Sequence, residues 1–579
     1  MNKLRKSWPY LTIVGVAIIV LLSQIVTGAY ILGVDSIFHM NRFYDTMMQI
    51  KTGNWSYFIS IYGFQQSGRI INALYGPLTA YVNGLLLLIT GSWARFQIVS
   101  SLSIMIISGI SMYRLALRTQ IKRIYAVIVG ISYMLSFLIM GWVVGMQFTG
   151  WGAALLPWLI SAGFDMVDYQ EIKVLKLALP MSVLLQTHML SSLSGALALI
   201  PLFISGIIRC KDRWKMFRHA VYAVLLTLLL TANVWYGTFE ISITNHALGV
   251  APQLDMHEDS VALFGKNVFV LSPIYTVAFI LVAIYFIKNF KKLTRDRKAI
   301  FITGMMFLWL SSVAFPWQTL DNMFPNISFL IQMPRRFVVI AFIFLLICMG
   351  IMINDAFVLQ PLNKIKYALL IIGGCILIFN AGGTVLRGVN YFLSPGVVQN
   401  DYNVYFVTDD MNKLRKSLTS NNPKQAIQLV AKATPDYLPA QYHMTAYNYF
   451  DYHPYGSYFD EIINYQGNVQ KSIKDNGHLL LTWRNSHHNG YKMQLPVVQY
   501  PSTHLILNGK HVDADDHTEI GSVIIRAKHG INRLEIYYHA RLGLLISVWT
   551  TLIAWILLSL WISGMTGYKL IRKNKRSIS

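Results

Sequence analysis

Directly after the first apolar run, the stretch Gly33-Val34-Asp35-Ser36-Ile37-Phe38-His39-Met40-Asn41-Arg42 sets a carboxylate, an imidazole and a guanidinium at positions i, i+4 and i+7. In a helix these three share one face. Ionisable groups are costly beside a hydrocarbon core, and an acid, an imidazole and a cation converging there suit a reaction or binding centre. The plainer alternative is a capped interfacial helix, with Asp35 as N-cap and His39 and Arg42 solvated. Four further features could do chemistry. Arg335 and Arg336 sit at the mouth of an apolar run, where arginine binds phosphate in bidentate geometry and stays charged. His188 falls inside an apolar run, either as a substrate contact or as a satisfied polar residue between helices. The segment 238–266 crowds Glu240, His246, Asp255, His257, Glu258 and Asp259, which could bind an acceptor or a metal or form a solvated loop. His487-His488 and Asp513, Asp515 and Asp516 lack metal-ligand spacing and read as surface turns.

The elements that must position these groups are membrane helices. The chain has 579 residues, 54% hydrophobic and 13% charged, with a mean hydropathy of +0.46. A soluble domain carries about 25% charged residues. Apolar stretches of about 17–22 residues recur, the length that crosses a bilayer core. The net charge of +23 does not point to nucleic acid, because the basic residues fall in short clusters between apolar runs, as the positive-inside bias predicts. Cys210, Cys348 and Cys375 form neither a disulfide framework nor a CxxC signature. The run 10–32 is too long for a signal-peptide core and reads as an uncleaved first helix.

Basic clusters at 3–6, 114–123, 173–176, 209–218, 288–298, 364–366 and 569–576 can share one side only if the run 70–90 does not cross. Asn72, Gly76, Pro77 and Asn83 support that, marking a re-entrant or interfacial segment inside a first outer loop at 33–95. The remaining spans fall near 96–113, 124–143, 152–167, 174–191, 193–208, 220–237, 267–287, 299–315, 337–354, 366–384 and 542–563. With the first helix this gives a polytopic α-helical membrane protein of about twelve spans, both termini cytoplasmic. The transmembrane module covers 1–386. An extracytoplasmic region at 387–541 runs from mixed α/β to β, and 542–579 is the final helix with a basic tail. In the outer region 479–483, 497–500, 504–507, 523–526 and 534–538 read as strands of a small sandwich, and Asn508-Gly509 is a hairpin turn signal.

The order of these pieces resembles the GT-C class of membrane glycosyltransferases. Asp35 and His39 directly follow the first span, and the first outer loop holds Leu74-Tyr75-Gly76-Pro77-Leu78-Thr79-Ala80-Tyr81, followed by Trp93-Ala94-Arg95. Within that class the chain resembles YfhO-like proteins and the bacterial membrane family labelled "6-pyruvoyl-tetrahydropterin synthase-related". The matching pieces are Asp35 to His39, Gln186-Thr187-His188, Gln332 to Phe337, Pro435-Asp436-Tyr437-Leu438-Pro439, and 507–538.

The resemblance implies transfer of a sugar from a polyprenyl-phosphate carrier to an extracytoplasmic glycan, lipid or protein acceptor, with inversion. Asp35 would be the base, His39 its orienting or acceptor-contacting neighbour, and Arg335 and Arg336 the phosphate clamp. Arg42, His188 and Glu240 would be further substrate contacts. No acidic pair follows the first helix, so an Asp-Asp or Asp-Glu site is not available there; no cofactor is required by sequence, and a divalent metal is left open but unsupported. A lipid or oligosaccharide transporter and a non-enzymatic glycan-binding scaffold are the competing classes. No internal two-fold repeat favours the first. P-loop, GxSxG and HExxH motifs are all absent.

Overall fold

The computed structural model describes residues 4–245, 247–252, 255–266, 268–324, 327–359, 364–440 and 448–578. Six helices are long and apolar enough to cross a membrane: Trp93–Arg118, Met189–Arg209, Pro273–Lys292, Pro334–Ala356, Tyr367–Leu393 and Leu542–Thr566. Two bent pairs, Arg123–Met134 with Phe137–Gly145 and Arg213–Leu230 with Ala232–Thr244, raise the number to eight. The chain is a polytopic α-helical membrane protein with a β-rich region. The expected dozen spans are not reached by length and composition, because several apolar runs are broken. The run 10–32 yields helices Leu4–Val20 and Leu22–Thr27 and then leaves helical geometry at Gly28 (φ 63°). The run 174–191 breaks at His188, which is extended (φ −153°, ψ 104°) between helices Val174–Thr187 and Met189–Arg209.

The segment 70–90 forms a helix only over Pro77–Thr90, with proline at its first turn. Fourteen residues span about 21 Å, well short of a bilayer core. This short helix lies against Ser36–Thr52, where Thr46 Oγ1 donates to Ala80 O at 2.9 Å. Gly84 permits the close approach, since a Cβ there would fall 2.2 Å from Thr46 Oγ1.

The 70° break at Thr231 frees carbonyls that find partners. Leu230 O accepts from Gln186 Nε2 (3.2 Å) and Trp555 Nε1 (2.9 Å), while Asn233 bonds Gln186, Tyr57 and Thr551. These bonds fix the final helix, which otherwise exposes apolar side chains along most of its length.

The β-rich region contains two antiparallel sheets. Five strands run in the order Val469–Ile473, Leu479–Asn485, Gly530–Tyr538, Thr503–Leu507 and Lys510–Val512, and three in the order Asp516–His517, Ser522–Ala527 and Tyr491–Val498. Alternate residues turn inward, so Leu481, Trp483, Leu505, Leu534 and Ile536 join Leu495, Val497, Val523 and Ile525 in one core. Asn508 (φ 52°) and Gly509 (φ 84°) form the tight turn between Leu507 and Lys510.

Ile59, Ile61 and Ile70 of the first loop share that core, so loop and sheets form one body. The molecule is polar along its length. Trp93–Arg118 spans about 39 Å, 26 residues at 1.5 Å each. At one end Trp93 Nε1 donates to Pro423 O (3.0 Å), and at the other Arg118 binds Asp165 and Asp168.

Candidate functional site

The helix Ser36–Thr52 carries the three residues singled out by their spacing. Asp35 takes its N-cap position, but its carboxylate caps no backbone N–H. Its own N–H donates to Gly145 O (3.0 Å), which ties it to the end of Phe137–Gly145. Gly33 permits this crossing, since a Cβ there would meet Val144 O at 2.1 Å.

His39 and Arg42 are 2% and 0% exposed, which rules out the solvated interfacial alternative. Arg42 Nη1 lies 3.2 Å from His39 Nδ1. Because arginine only donates, this ring nitrogen is the acceptor and the imidazole proton sits on Nε2. Burial, then the charge of Arg42 and the nearby His188, holds the His39 pKa well below its ordinary value, so the ring is neutral. Arg42 completes its shell with Asn72 Oδ1 (3.1 Å) and Tyr75 O, and its guanidinium lies over the Tyr75 (4.6 Å) and Phe148 (4.8 Å) rings. Burial lowers its pKa only to about 10, so it keeps its charge.

Two aspartates, Asp35 at the start of this helix and Asp45 in its middle, differ in kind. Asp45 Oδ1 accepts from the N–H groups of Ile61, Tyr62 and Gly63 at 3.0, 2.8 and 3.2 Å, and Oδ2 accepts from Gln49 at 2.8 Å. It pins the first loop. The half-buried Asp35 carboxylate accepts no hydrogen bond among the described residues. Burial pushes its pKa up to about 6, against the pull of Lys432 and Arg336 and with the push of Asp436. A carboxylate titrating there is charged at neutral pH and has lone pairs free for an incoming proton.

The segment Pro435-Asp436-Tyr437-Leu438-Pro439, with Lys432 before it, closes the site from nearly four hundred residues away. Lys432 Nζ donates to Val34 O (2.5 Å). Arg69, fully buried, reaches back to Thr434 O (2.6 Å) and Asp436 O. Tyr437 takes a positive φ of 64° and is held from both sides: its N–H donates to Leu248 O (2.8 Å) and its carbonyl accepts from Tyr500 OH (2.8 Å). Burial raises the Asp436 pKa and lowers that of Lys432, while each charge favours the ionised form of the other.

His188 caps the helix Met189–Arg209. Its Nδ1 accepts from the Ser191 N–H (3.2 Å) and lies 2.8 Å from Ser191 Oγ. Its ring also meets Tyr75 edge-on at 5.9 Å. Gly76 (φ 55°) lets the first loop pass beneath it, since a Cβ there would strike Thr187 O at 2.1 Å.

The two adjacent arginines part company. Arg335 pairs with Asp259 and its backbone N–H donates to Asp259 O (3.1 Å). Arg336 is held by neutral oxygens, Gln332 Oε1 (2.5 Å) and Ile331 O (3.3 Å), and its charge is felt at Asp35, Tyr75 and Tyr437.

Asp35, His39, Arg42, His188 and Arg336 are therefore brought together, and Arg335 and Glu240 are not. Glu240 is buried on Ala232–Thr244 and faces Arg541 at 4.0 Å. Asp255 accepts from the His257 N–H (2.8 Å), which makes that stretch a turn, and His246 lies outside the described residues. No three His, Cys, Asp or Glu side chains converge into a metal site among the described residues.

Lys432 and Arg69 escaped the sequence reading, and Asp436, Tyr437, Tyr75 and Asn72 lie in segments it marked without giving them a place in the site. The one signal for them was the Pro-flanked Asp436-Tyr437 motif, whose partners lie in the first loop.

No family model matches the chain, and no curated protein matches it. Among solved structures, ArnT from Cupriavidus metallidurans bound to undecaprenyl phosphate is similar at a TM-score of 0.40 and 12% identity, over 77% of this chain and 76% of that one. The Archaeoglobus fulgidus oligosaccharyltransferase tethered to an acceptor peptide is similar at 0.38 and 11%, over 69% of this chain and 57% of that one. Neither likeness assigns a role to any residue of this chain.

Proposed function

We propose that the protein is a GT-C-type glycosyltransferase that moves a sugar from a polyprenyl-phosphate donor to an extracytoplasmic glycan, lipid or protein acceptor. The observation that carries this reading is the Asp35 carboxylate: unbonded among the described residues, raised in pKa, and acted on by the charges of Lys432 and Arg336. The positive-inside bias assigns the Arg118 end to the cytoplasm and so the Asp35 end to the outside. There the donor phosphate lies at headgroup depth.

Asp35 takes the proton of the acceptor hydroxyl as the oxygen attacks the anomeric carbon. The bond from that carbon to the phosphate oxygen breaks with its electron pair leaving on the phosphate. One base and no covalent nucleophile give inversion. Arg336 is the phosphate contact, because its guanidinium is bonded to neutral oxygens and makes no direct ion pair among the described residues, and stabilising the departing phosphate contributes most to the rate of such transfers. Arg42 and neutral His39 position the wall behind Asp35. The contacts of the first loop, 33–95, with the region 387–541 support treating both as parts of one catalytic unit.

The test is sugar transfer by the full-length protein in nanodiscs, with a polyprenyl-phosphate-sugar donor and no sealed compartment. Turnover that Asp35→Asn abolishes supports the enzyme. Transport activity in proteoliposomes without any transfer sinks it.

A further inference from the structure

We propose that the open face of the five-stranded sheet binds an anionic glycan polymer, one that carries phosphate or carboxylate groups along its length. The proposal goes beyond the Asp35 chemistry and does not depend on it.

Along Gly530–Tyr538 the residues Leu534 and Ile536 enter the core, so Ile531, Arg533, Glu535 and Tyr537 face outward. The strand register sets Ile531 opposite Arg484, Arg533 opposite Thr482, Glu535 between Leu480 and Ile506, and Tyr537 opposite His504. Of these, Thr482, Ile531, Arg533 and Glu535 line a shallow trough of about 740 Å³ together with Lys474 and Lys528, with Arg484 and Tyr537 on the same face of the sheet.

The trough carries a surplus of positive charge. Its single carboxylate, Glu535, is fully engaged by Lys474 Nζ (2.8 Å), Asn476 Nδ2 (3.1 Å) and His478 Nδ1 (2.6 Å). Arg484, Lys528 and Arg533 are exposed and have no acidic partner among the described residues. Charge complementarity therefore selects an anion. A single exposed cation contributes little in water, so an occupant that binds here must bring a repeated row of anions.

The aromatic side chains argue in the same direction. Tyr537 is flanked by the stacked rings of His478 (4.5 Å, 11°) and His504 (5.3 Å, 15°), and His504 meets His539 edge-on at 5.7 Å. The Tyr537 ring is thus taken up by imidazoles rather than presented to a neutral sugar ring. A protein partner would need an apolar centre to its interface, and here the one strongly exposed large hydrophobic side chain is Ile531, at 61%.

The experiment uses the full-length protein in zwitterionic nanodiscs. The probes are polygalacturonate, poly(glycerol phosphate) and neutral dextran, with anionic-lipid vesicles as a fourth arm. We expect one or both polyanions to bind, which tells carboxylate from phosphate recognition, with affinity falling as salt is raised. Dextran is expected not to bind. The Lys528→Glu, Arg533→Glu double variant should weaken polyanion binding roughly tenfold or more, with an unchanged melting temperature. Asp35→Asn should bind as the unsubstituted protein does, so that loss of transfer and loss of polymer binding are read separately. Equal binding of dextran, wild-type binding by the double variant, or binding of anionic vesicles alone overturns the proposal.

Discussion

Two groups of cations, at the two ends of the helical body, are held in different ways. At the basic end Arg118 pairs with Asp165 and Asp168, Arg209 with Asp296 (2.8 Å), and Arg297 with Asp355 (2.7 Å). At the other end Arg42, Arg69, Arg336 and Lys432 are fixed by carbonyls, amides and an imidazole. In the first group carboxylates touch the cations; in the second, acids such as Asp436 and Asp259 act on them only at longer range. A cation held by neutral oxygens stays available to a ligand anion, and burial in a water-poor site strengthens that attraction. The contrast separates cations paired directly with acids from cations left open to a ligand anion.

Four experiments can break or sharpen the contrast. The largest effect is expected from Asp35→Asn. Transfer should fall roughly 10²–10⁴-fold, the usual worth of a general base, while the melting temperature holds or rises. An active Asp35→Asn protein would dissolve the distinction. Asp165→Asn, at the basic end, should do the reverse. Removing one member of a buried pair costs about 3 kcal/mol of stability, and turnover per folded molecule should stay unchanged.

Arg336→Ala should weaken donor binding by about 1.5–3 kcal/mol, the worth of a charge-assisted hydrogen bond. Arg335→Ala, which frees Asp259, should weaken it less. Equal losses from the two variants would mean that pairing with an acid does not decide which arginine serves the substrate.

The smallest effect is a shift in pH dependence. Transfer should rise with pH through about 6 as Asp35 loses its proton. Lys432→Met should move that limb upward, because the lysine lowers the Asp35 pKa. The stability sign is opposite. The folded state holds this proton more tightly than the unfolded chain, so Asp35 makes the protein less stable as pH rises from about 4 to about 6, and the loss levels off above that. That slope should vanish in Asp35→Asn.

Much of this was readable in the sequence. The i, i+4, i+7 spacing marked Asp35, His39 and Arg42, and the run 479–483 read as a strand, which the structure extends to Leu479–Asn485. Asn508-Gly509 marked the turn that the register places between Leu507 and Lys510. Hydropathy could not see a one-residue break at His188 or Thr231, because a run stays apolar whether or not its hydrogen bonds continue. Neighbouring arginines look alike until Asp259 is found beside one of them. Lys432 and Asp436 were hidden for a third reason: nothing local tells a lysine and an aspartate in a mixed segment that their partners lie near residues 34 and 69.

That long-range closure has a consequence for biosynthesis. A ribosome releases Asp35 into the membrane early, while Lys432 and the Pro435–Pro439 segment emerge only after most of the helices. The nascent protein therefore carries an incomplete centre until the late segment docks onto the first loop. A product ending anywhere before residue 432 inserts with Asp35 lacking the charges of Lys432 and Asp436 that act on it in the complete protein.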